Sequence, residues 1–181
     1  MISNKNDLLE HIAKGNKVKY LHFWGHTQKS DLIDKSCFSQ WFPSSFVLDE
    51  ETYLTAEHYM MSQKARLFED DAILEAVLAC QHPAEAKKLG RKVKNFDADL
   101  WNKHCFDFVV EGNVGKFGQN PELKAFLLNT SDHVLVEASP LDRVWGIGMT
   151  ADDANACNPT KWRGENLLGF ALMVARQQLL E

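Results

Sequence analysis

Thr55-Ala-Glu-His-Tyr-Met-Met-Ser-Gln-Lys-Ala-Arg-Leu-Phe68 is the stretch on which the fold turns. Wound at about 100° per residue, it puts Met60, Met61, Ala65, Leu67 and Phe68 on one arc and Tyr59, Ser62, Gln63 and Arg66 opposite. Thr55 is positioned to cap this helix. Glu57 and Lys64 break the pattern, since both fall inside the apolar arc, two turns and about 10 Å apart. That spacing is too long for a helical ion pair. Either each charge is neutralised by another buried side chain, with Lys64 free to snorkel along its stem, or the arc lines a cleft into which both point. The cleft is our expectation.

Working outward, the N-terminal side predicts a short helix over residues 4–14, stopped by Gly15, then a strand from Val18 to Trp24 and a polar loop from Gly25 to Lys35. Cys37 to Pro43 crowds three aromatics ahead of a proline, and a second extended piece spans Ser45 to Leu48. On the other side, Asp70 or Asp71 opens a helix to about Cys80, with Ile73, Val77 and Leu78 inward. Pro83 suits the first turn of another, with Gly90 as its C-terminal stop. A long helix is expected over Ala98 to Lys116, burying Trp101, Cys105, Phe108 and Val109, and another begins at Asn120-Pro121. His133 to Glu137 reads as a strand, Ser139 to Gly148 as a loop, and residues 164–179 as a central, nearly all-apolar helix. Six or seven helices with about three short strands make a predominantly helical α+β fold, expected as one domain over residues 1–181.

The 181 residues are 45% hydrophobic, enough for a substantial core, and the net charge of −5 argues against a broad basic surface for nucleic acid. The four cysteines lie far apart without metal-site spacing, and the histidines are scattered, so no metal and no cofactor are expected. No signal-like segment opens the chain, and its longest apolar run, Leu167 to Ala175, is short of the ~20 residues of a membrane span. A cytoplasmic protein without membrane contact is the expectation.

Gly112-Asn-Val-Gly-Lys116 invites comparison with a phosphate-binding P-loop and fails it. Two residues separate its glycines instead of four, and Phe117 stands where a Ser or Thr must hold magnesium. No G-x-S-x-G nucleophile elbow occurs. Glu137-Ala-Ser-Pro-Leu-Asp142-Arg143-Val-Trp145-Gly146-Ile-Gly148 carries a carboxylate, a guanidinium and a tryptophan on a glycine-bearing loop. Arg143 is suited to hold a phosphate bidentately and Trp145 to stack on a base or sugar. Spacing alone slightly favours an ordinary turn, with an Asp–Arg surface pair and a core tryptophan.

Taken together, seven short motifs resemble the NADAR superfamily, the group that includes YbiA-like N-glycosidases. They are Phe38-Ser-Gln-Trp-Phe-Pro43, Thr55-x-Glu57-His58-Tyr59, Gln63-Lys64-Ala65, Leu89-Gly90-Arg91, Lys116-Phe-x-Gln-Asn-Pro-Glu-Leu123, Ser139-Pro-x-Asp142-x-x-Trp145-Gly146-x-Gly148 and Asn166-Leu-Leu-Gly169. Each is short, but they come in the family's order across roughly residues 22–177. The family commonly has Asn at the position of Gln40, so this Gln either reaches further or loses a contact. Residues 1–15 and the polar insert between Asn155 and Arg163 are less typical and stand to alter substrate access.

The resemblance implies hydrolysis of an N-glycosidic bond at a ribose C1. The implied substrate is a phosphorylated ribosylamino-pyrimidine intermediate of riboflavin biosynthesis or, alternatively, ADP-ribose on a guanine base, nucleic acid being a partner only when it carries ADP-ribose. A non-catalytic ADP-ribose-binding role is the third possibility. By motif match, Glu57, Asp142 and Lys64 are the expected catalytic residues, and Trp145, Gly146, Arg91, Arg143, Trp41 and Gln40 the expected substrate-binding ones. Glu57 would stabilise positive charge on the sugar and activate water. Asp142 would orient the ribose or assist the leaving amine, Arg91 hold the phosphate, and Trp145 stack on the base. Lys64 is open to two roles, binding phosphate or ribose, or capturing C1 as a Schiff base.

Overall fold

The computed structural model describes residues 2–181. Helix α1 (Lys5–Ala13) is capped by the Asn4 side chain, which accepts from Asp7 N–H. Strand β1 (Tyr20–Phe23) follows, then a 3₁₀ turn over Lys35–Phe38 and a hairpin of β2 (Phe46–Leu48) and β3 (Glu51–Tyr53). Helices α2 (Ala56–Leu67), α3 (Asp71–Ala79), α4 (Pro83–Gly90), α5 (Ala98–Gln119) and α6 (Pro121–Leu128) come in unbroken succession. Strand β4 (Val134–Glu137) and helix α7 (Leu167–Gln178) complete a predominantly helical α+β fold. Thr55 caps α2 and Asp70 caps α3 through their side-chain oxygens, and Pro83 and Pro121 stand in the first turns of their helices.

Three expectations need correction. The hairpin strand β3 lies where the sequence suggested only a link into α2. Its turn residues, Asp49 and Glu50, both adopt positive φ (51° and 65°), and without the usual Asn-Gly or Asp-Gly pair the turn leaves no clear signature. On the face of α2 expected to be polar, Tyr59 and Ser62 are buried, and Gln63 and Arg66 are half-buried. Helix α5 covers that side, and α3 and α4 cover the other, so α2 runs through the interior. Gly90 does not stop α4 through a left-handed conformation but is its last helical residue, followed by Arg91 in a right-handed one. A Cβ there would collide with the Met61 side chain, and one at Gly112 would lie 2.7 Å from the Tyr59 ring. These two glycines let α4 and α5 close on α2 from opposite sides.

The segment that imitates a P-loop is interior helix. Lys116, in the core of α5, donates to the carbonyls of Cys37 (2.6 Å) and Ser39 (2.8 Å), bracing the segment that precedes Gln40 and Trp41. Burial pushes its ammonium down to about 7. The insert before Arg163 forms a 3₁₀ turn over Pro159–Lys161 and a buried Trp162, whose indole donates to Ala156 O at 2.8 Å. Lys5 Nζ reaches Trp162 O at 3.3 Å, so the insert packs on α1.

Strands β1 and β4 pair in parallel, Tyr20 opposite Val134 and Phe23 opposite Glu137. Helix α7 is fastened to β4 by Asn166, which sits at φ 57°. Its Oδ1 accepts from Glu137 N–H and its Nδ2 donates to Leu135 O, both at 2.9 Å. The left-handed residue also explains why α7 starts at Leu167 and not at 164. Gly169 lets the first turn of α7 rest on β4, since a Cβ there would overlap Leu135 O. Gly169→Ala is therefore expected to destabilise the fold by about 2–3 kcal/mol, read as a lower urea midpoint at unchanged m-value.

Candidate active site

A cavity of about 390 Å³ opens at the carboxyl ends of β1 and β4. Its volume falls within the range of small-molecule sites. Trp24, Gly25 and His26 reach it from the chain leaving β1, and Glu137, Asp142 and Trp145 from the end of β4 and the loop beyond. Helix α2 supplies one wall, with Glu57, Met60, Met61 and Lys64, and α4 with its C-cap adds Lys87, Gly90 and Arg91. Parallel strands leave their following loops on one edge of the sheet, which is where ligands collect in open α/β layers.

Of the nine residues singled out in the sequence, seven line this cavity: Glu57, Asp142, Lys64, Trp145, Arg91, Trp41 and Gln40. Glu57 and Lys64 thus share one space despite their two-turn separation. Gly146 and Arg143 are not among the lining residues. Gly146 is packed against backbone, where a Cβ would lie 2.9 Å from Glu137 O and 3.0 Å from Asp142 O. The Arg143 side chain is exposed, while its carbonyl accepts from Glu165 N–H at 3.0 Å. The loop uses both positions to hold its own shape.

Glu57 is buried, and loss of water raises its carboxyl to about 7. Lys87, the Trp41 indole N–H and Arg91 offset part of that rise, and the Asp142 charge adds to it. The Glu57 amide donates to Gln40 O at 3.0 Å, tying the start of α2 to the Gln40–Trp41 segment. The Gln40 side chain is held from behind, its Oε1 accepting from Asn113 Nδ2 at 2.9 Å. The longer side chain therefore has a partner on α5. Lys64 Nζ lies 4.3 Å from the Phe96 ring centre and 5.5 Å from that of Trp101. Burial lowers its pKa, Arg91 lowers it further, and Glu57 opposes both. Asp142 Oδ1 accepts from the amides of Val144 (2.9 Å) and Trp145 (2.7 Å), which orients the loop and leaves Oδ2 for other contacts.

Four contributors escaped the sequence reading. Lys87 lies 5.8 Å from the Trp41 ring centre, and His26 stacks obliquely on the same ring at 5.5 Å. Trp24 lines the mouth while 60% exposed, an unusual state for a tryptophan. Glu137 carries no side-chain hydrogen bond or ion pair among the described residues, and burial, then Asp142, raise its carboxyl to about 8. Only Glu137 left a trace in the sequence, as an acid closing the apolar run Val134-Leu-Val. The spacing His22-Phe-Trp-Gly-His26, four residues apart, suggests a metal pair only on a helix. Here His22 is in β1 with Nε2 3.2 Å from Ala156 O, and His26 is in the loop beside Trp41.

The cavity thus holds both carboxyls and cations. Glu137, Asp142 and Glu57 all line it, and the Asp142 charge is felt by both glutamates. Lys87 and Arg91 also bear on Glu57, and Arg91 and Glu57 both bear on Lys64. Aromatic faces stand among them. Such a site suits a ligand with an anionic group and a flat, polar group.

The pattern of the NADAR domain matches residues 22–180, and the chain belongs to that family. The N-glycosidase R617 of Acanthamoeba polyphaga mimivirus is 44% identical over 165 residues, covering 88% of this chain and 96% of its own. The N-glycosidase Npun_R5314 of Nostoc punctiforme is 33% identical over 144 residues, covering 79% and 85%. The NMR structure of the E. coli protein YbiA superposes with a TM-score of 0.70 at 27% identity, over 91% of this chain and 88% of that one.

If the cavity cations bind phosphate, Lys87→Met and Arg91→Leu should each weaken ribose 5-phosphate binding about tenfold by calorimetry. Loss of one charged partner at ~1.4 kcal/mol corresponds to that factor. Arg143→Ala should leave the affinity within about twofold.

Proposed function

We propose that the cavity is the active site of an N-glycosidase, a hydrolase of N-glycosyl bonds, and that its substrate is a phosphorylated ribosylamino-pyrimidine cleaved at the ribosyl C1–N bond. The enzyme class follows from the family and from relatives named N-glycosidases. The substrate class is our reading, and riboflavin-biosynthesis intermediates are the compounds of that kind we have in mind. One observation carries it: a buried carboxyl on a rigid helix shares a ligand-sized cavity with three cations, of which none forms a salt bridge with a protein carboxylate among the described residues.

The chemistry follows from the two sets of charges. Lys87, Arg91 and Lys64 hold the 5-phosphate, and Trp145 and Trp41 offer faces to the base. This leaves C1 near the carboxylates. Breaking the C1–N bond builds positive charge on the sugar, which the ionised Glu57 stabilises while drawing a proton from the attacking water. Asp142, fixed through Oδ1, orients the ribose with Oδ2. Lys64 serves the phosphate or ribose in this scheme, and its lowered pKa also suits the Schiff-base role. Borohydride added during turnover separates the two: a sugar adduct on Lys64 assigns the covalent role, and its absence leaves Lys64 as a binding group.

Glu57→Gln should fold normally and lose at least ~100-fold in kcat for sugar release. Because Glu57 must be ionised, activity should rise with pH through about 7, and that limb should vanish in the variant. Offering the same protein an ADP-ribosylated guanine oligonucleotide tests the neighbouring substrate class. Faster sugar release from it would replace the ribosylamino-pyrimidine. Binding of ADP-ribose with no sugar release from either would make the domain a binding module.

A further inference from the structure

Glu137 has no part in the scheme above, yet its backbone is pinned on both sides. It ends β4 opposite Phe23, its amide donates to Asn166 Oδ1 at 2.9 Å, and its carbonyl accepts from Ile147 N–H at 2.9 Å. Those bonds pin the residue from α7 and from the loop while its side chain faces the cavity. Asp142, by contrast, spends one oxygen on two loop amides. Glu57 is drawn toward ionisation by Lys87, Trp41 and Arg91. Glu137 has no such help: among the described residues its carboxyl meets no cation and no hydrogen-bond donor, and the charge that bears on it is that of Asp142. The other charged and titratable groups around the cavity are Glu57 on α2, the cations Lys64, Lys87 and Arg91, and His26 after β1.

Both carboxyls are desolvated, but cations and an indole N–H bear on Glu57 and none bears on Glu137, a difference that divides base work from acid work. We propose that Glu137, fixed at the end of β4 with its side chain in the cavity, is the catalytic acid that donates a proton to the leaving nitrogen, while Glu57 is the carboxylate that activates water. This rests on the N-glycosidase reading of the same site. In the step, the Glu137 carboxyl proton passes to the nitrogen as the C1–N bond breaks and its electron pair leaves with the amine. Water adds its oxygen to C1 and gives one proton to Glu57. The products are the free amine and ribose 5-phosphate. Glu57 then returns its proton to solvent and Glu137 regains one, so nothing is oxidised or reduced. Burial raises Glu137 to about 8, which keeps it protonated at neutral pH and predicts an alkaline fall in kcat as pH passes that value.

The test compares the wild-type chain with Glu137→Gln and Glu57→Gln on two substrates, a ribosylamino-pyrimidine 5′-phosphate and 4-nitrophenyl riboside 5-phosphate, whose phenolate leaves without a proton. Glu137→Gln should lose about 100-fold or more on the first and less than about tenfold on the second, and its pH profile should lack the alkaline limb. Glu57→Gln should lose on both. Equal losses on the two substrates for Glu137→Gln, or a retained alkaline limb, overturn the assignment. If the wild-type chain releases no sugar from either substrate, the N-glycosidase reading fails first. The protonation of Glu137 is then judged by itself: carbon-13 NMR of Glu side-chain carboxyls should show one resonance titrating near 8 that Glu137→Gln removes, and titration near the ordinary ~4.3 overturns it.

Discussion

Removing the Glu57 carboxyl from water is the constraint to which the rest of this structure answers. A buried carboxylate without partners costs several kcal/mol, and the usual response is to bind a proton. Here the response is partial. Helix α4 brings Lys87 and, at its cap, Arg91; the segment braced by Lys116 brings Trp41; and together they offset part of the desolvation. The group is left near about 7, close to the point where gaining or losing a proton costs little. Such poise requires α4 and α5 to approach α2 closely, and Gly90 and Gly112 are the residues that allow it.

The parallel pair β1–β4 does the complementary work. Its short strands send both following loops to one edge, which faces the carboxyl-bearing part of α2. Asn166 locks β4 to α7 with a donor and an acceptor, so Glu137 and the Asp142–Trp145 loop are held from a helix far away in sequence. The result is one cavity lined by three carboxyls and three cations that form no salt bridge with one another among the described residues. Unpaired cations stay open to an anionic ligand, and unpaired carboxyls stay open to proton transfer. Direct ion pairs among them would have consumed both capacities.

The helical framework was legible because its signals are local. Caps at Asn4, Thr55 and Asp70 and prolines at 83 and 121 mark boundaries by hydrogen-bonding capacity alone, wherever the helix later packs. Family membership was legible too, from seven short motifs in order, and the Glu57–Lys64 anomaly pointed to a cleft before any packing was known. Less could be read where a residue's role depends on a distant neighbour. Nothing local separates Gly90 as a stop from Gly90 as a contact, or Arg143 facing a ligand from Arg143 facing solvent. Lys87 looks like any exposed helical lysine until α4 meets Trp41.

What the sequence by itself determined, then, is the order and type of most elements and the presence of two charges that an apolar helix face would not otherwise carry. Periodicity, capping and motif order are properties of neighbours in the chain. The tertiary structure decided that the N-terminal half of α2 is buried on every side, that Glu137 joins Glu57 and Asp142 in one cavity, and that Lys87 and Arg91 line it too. Those facts depend on desolvation and on electric fields between groups far apart in sequence, and neither exists until the chain has closed around them.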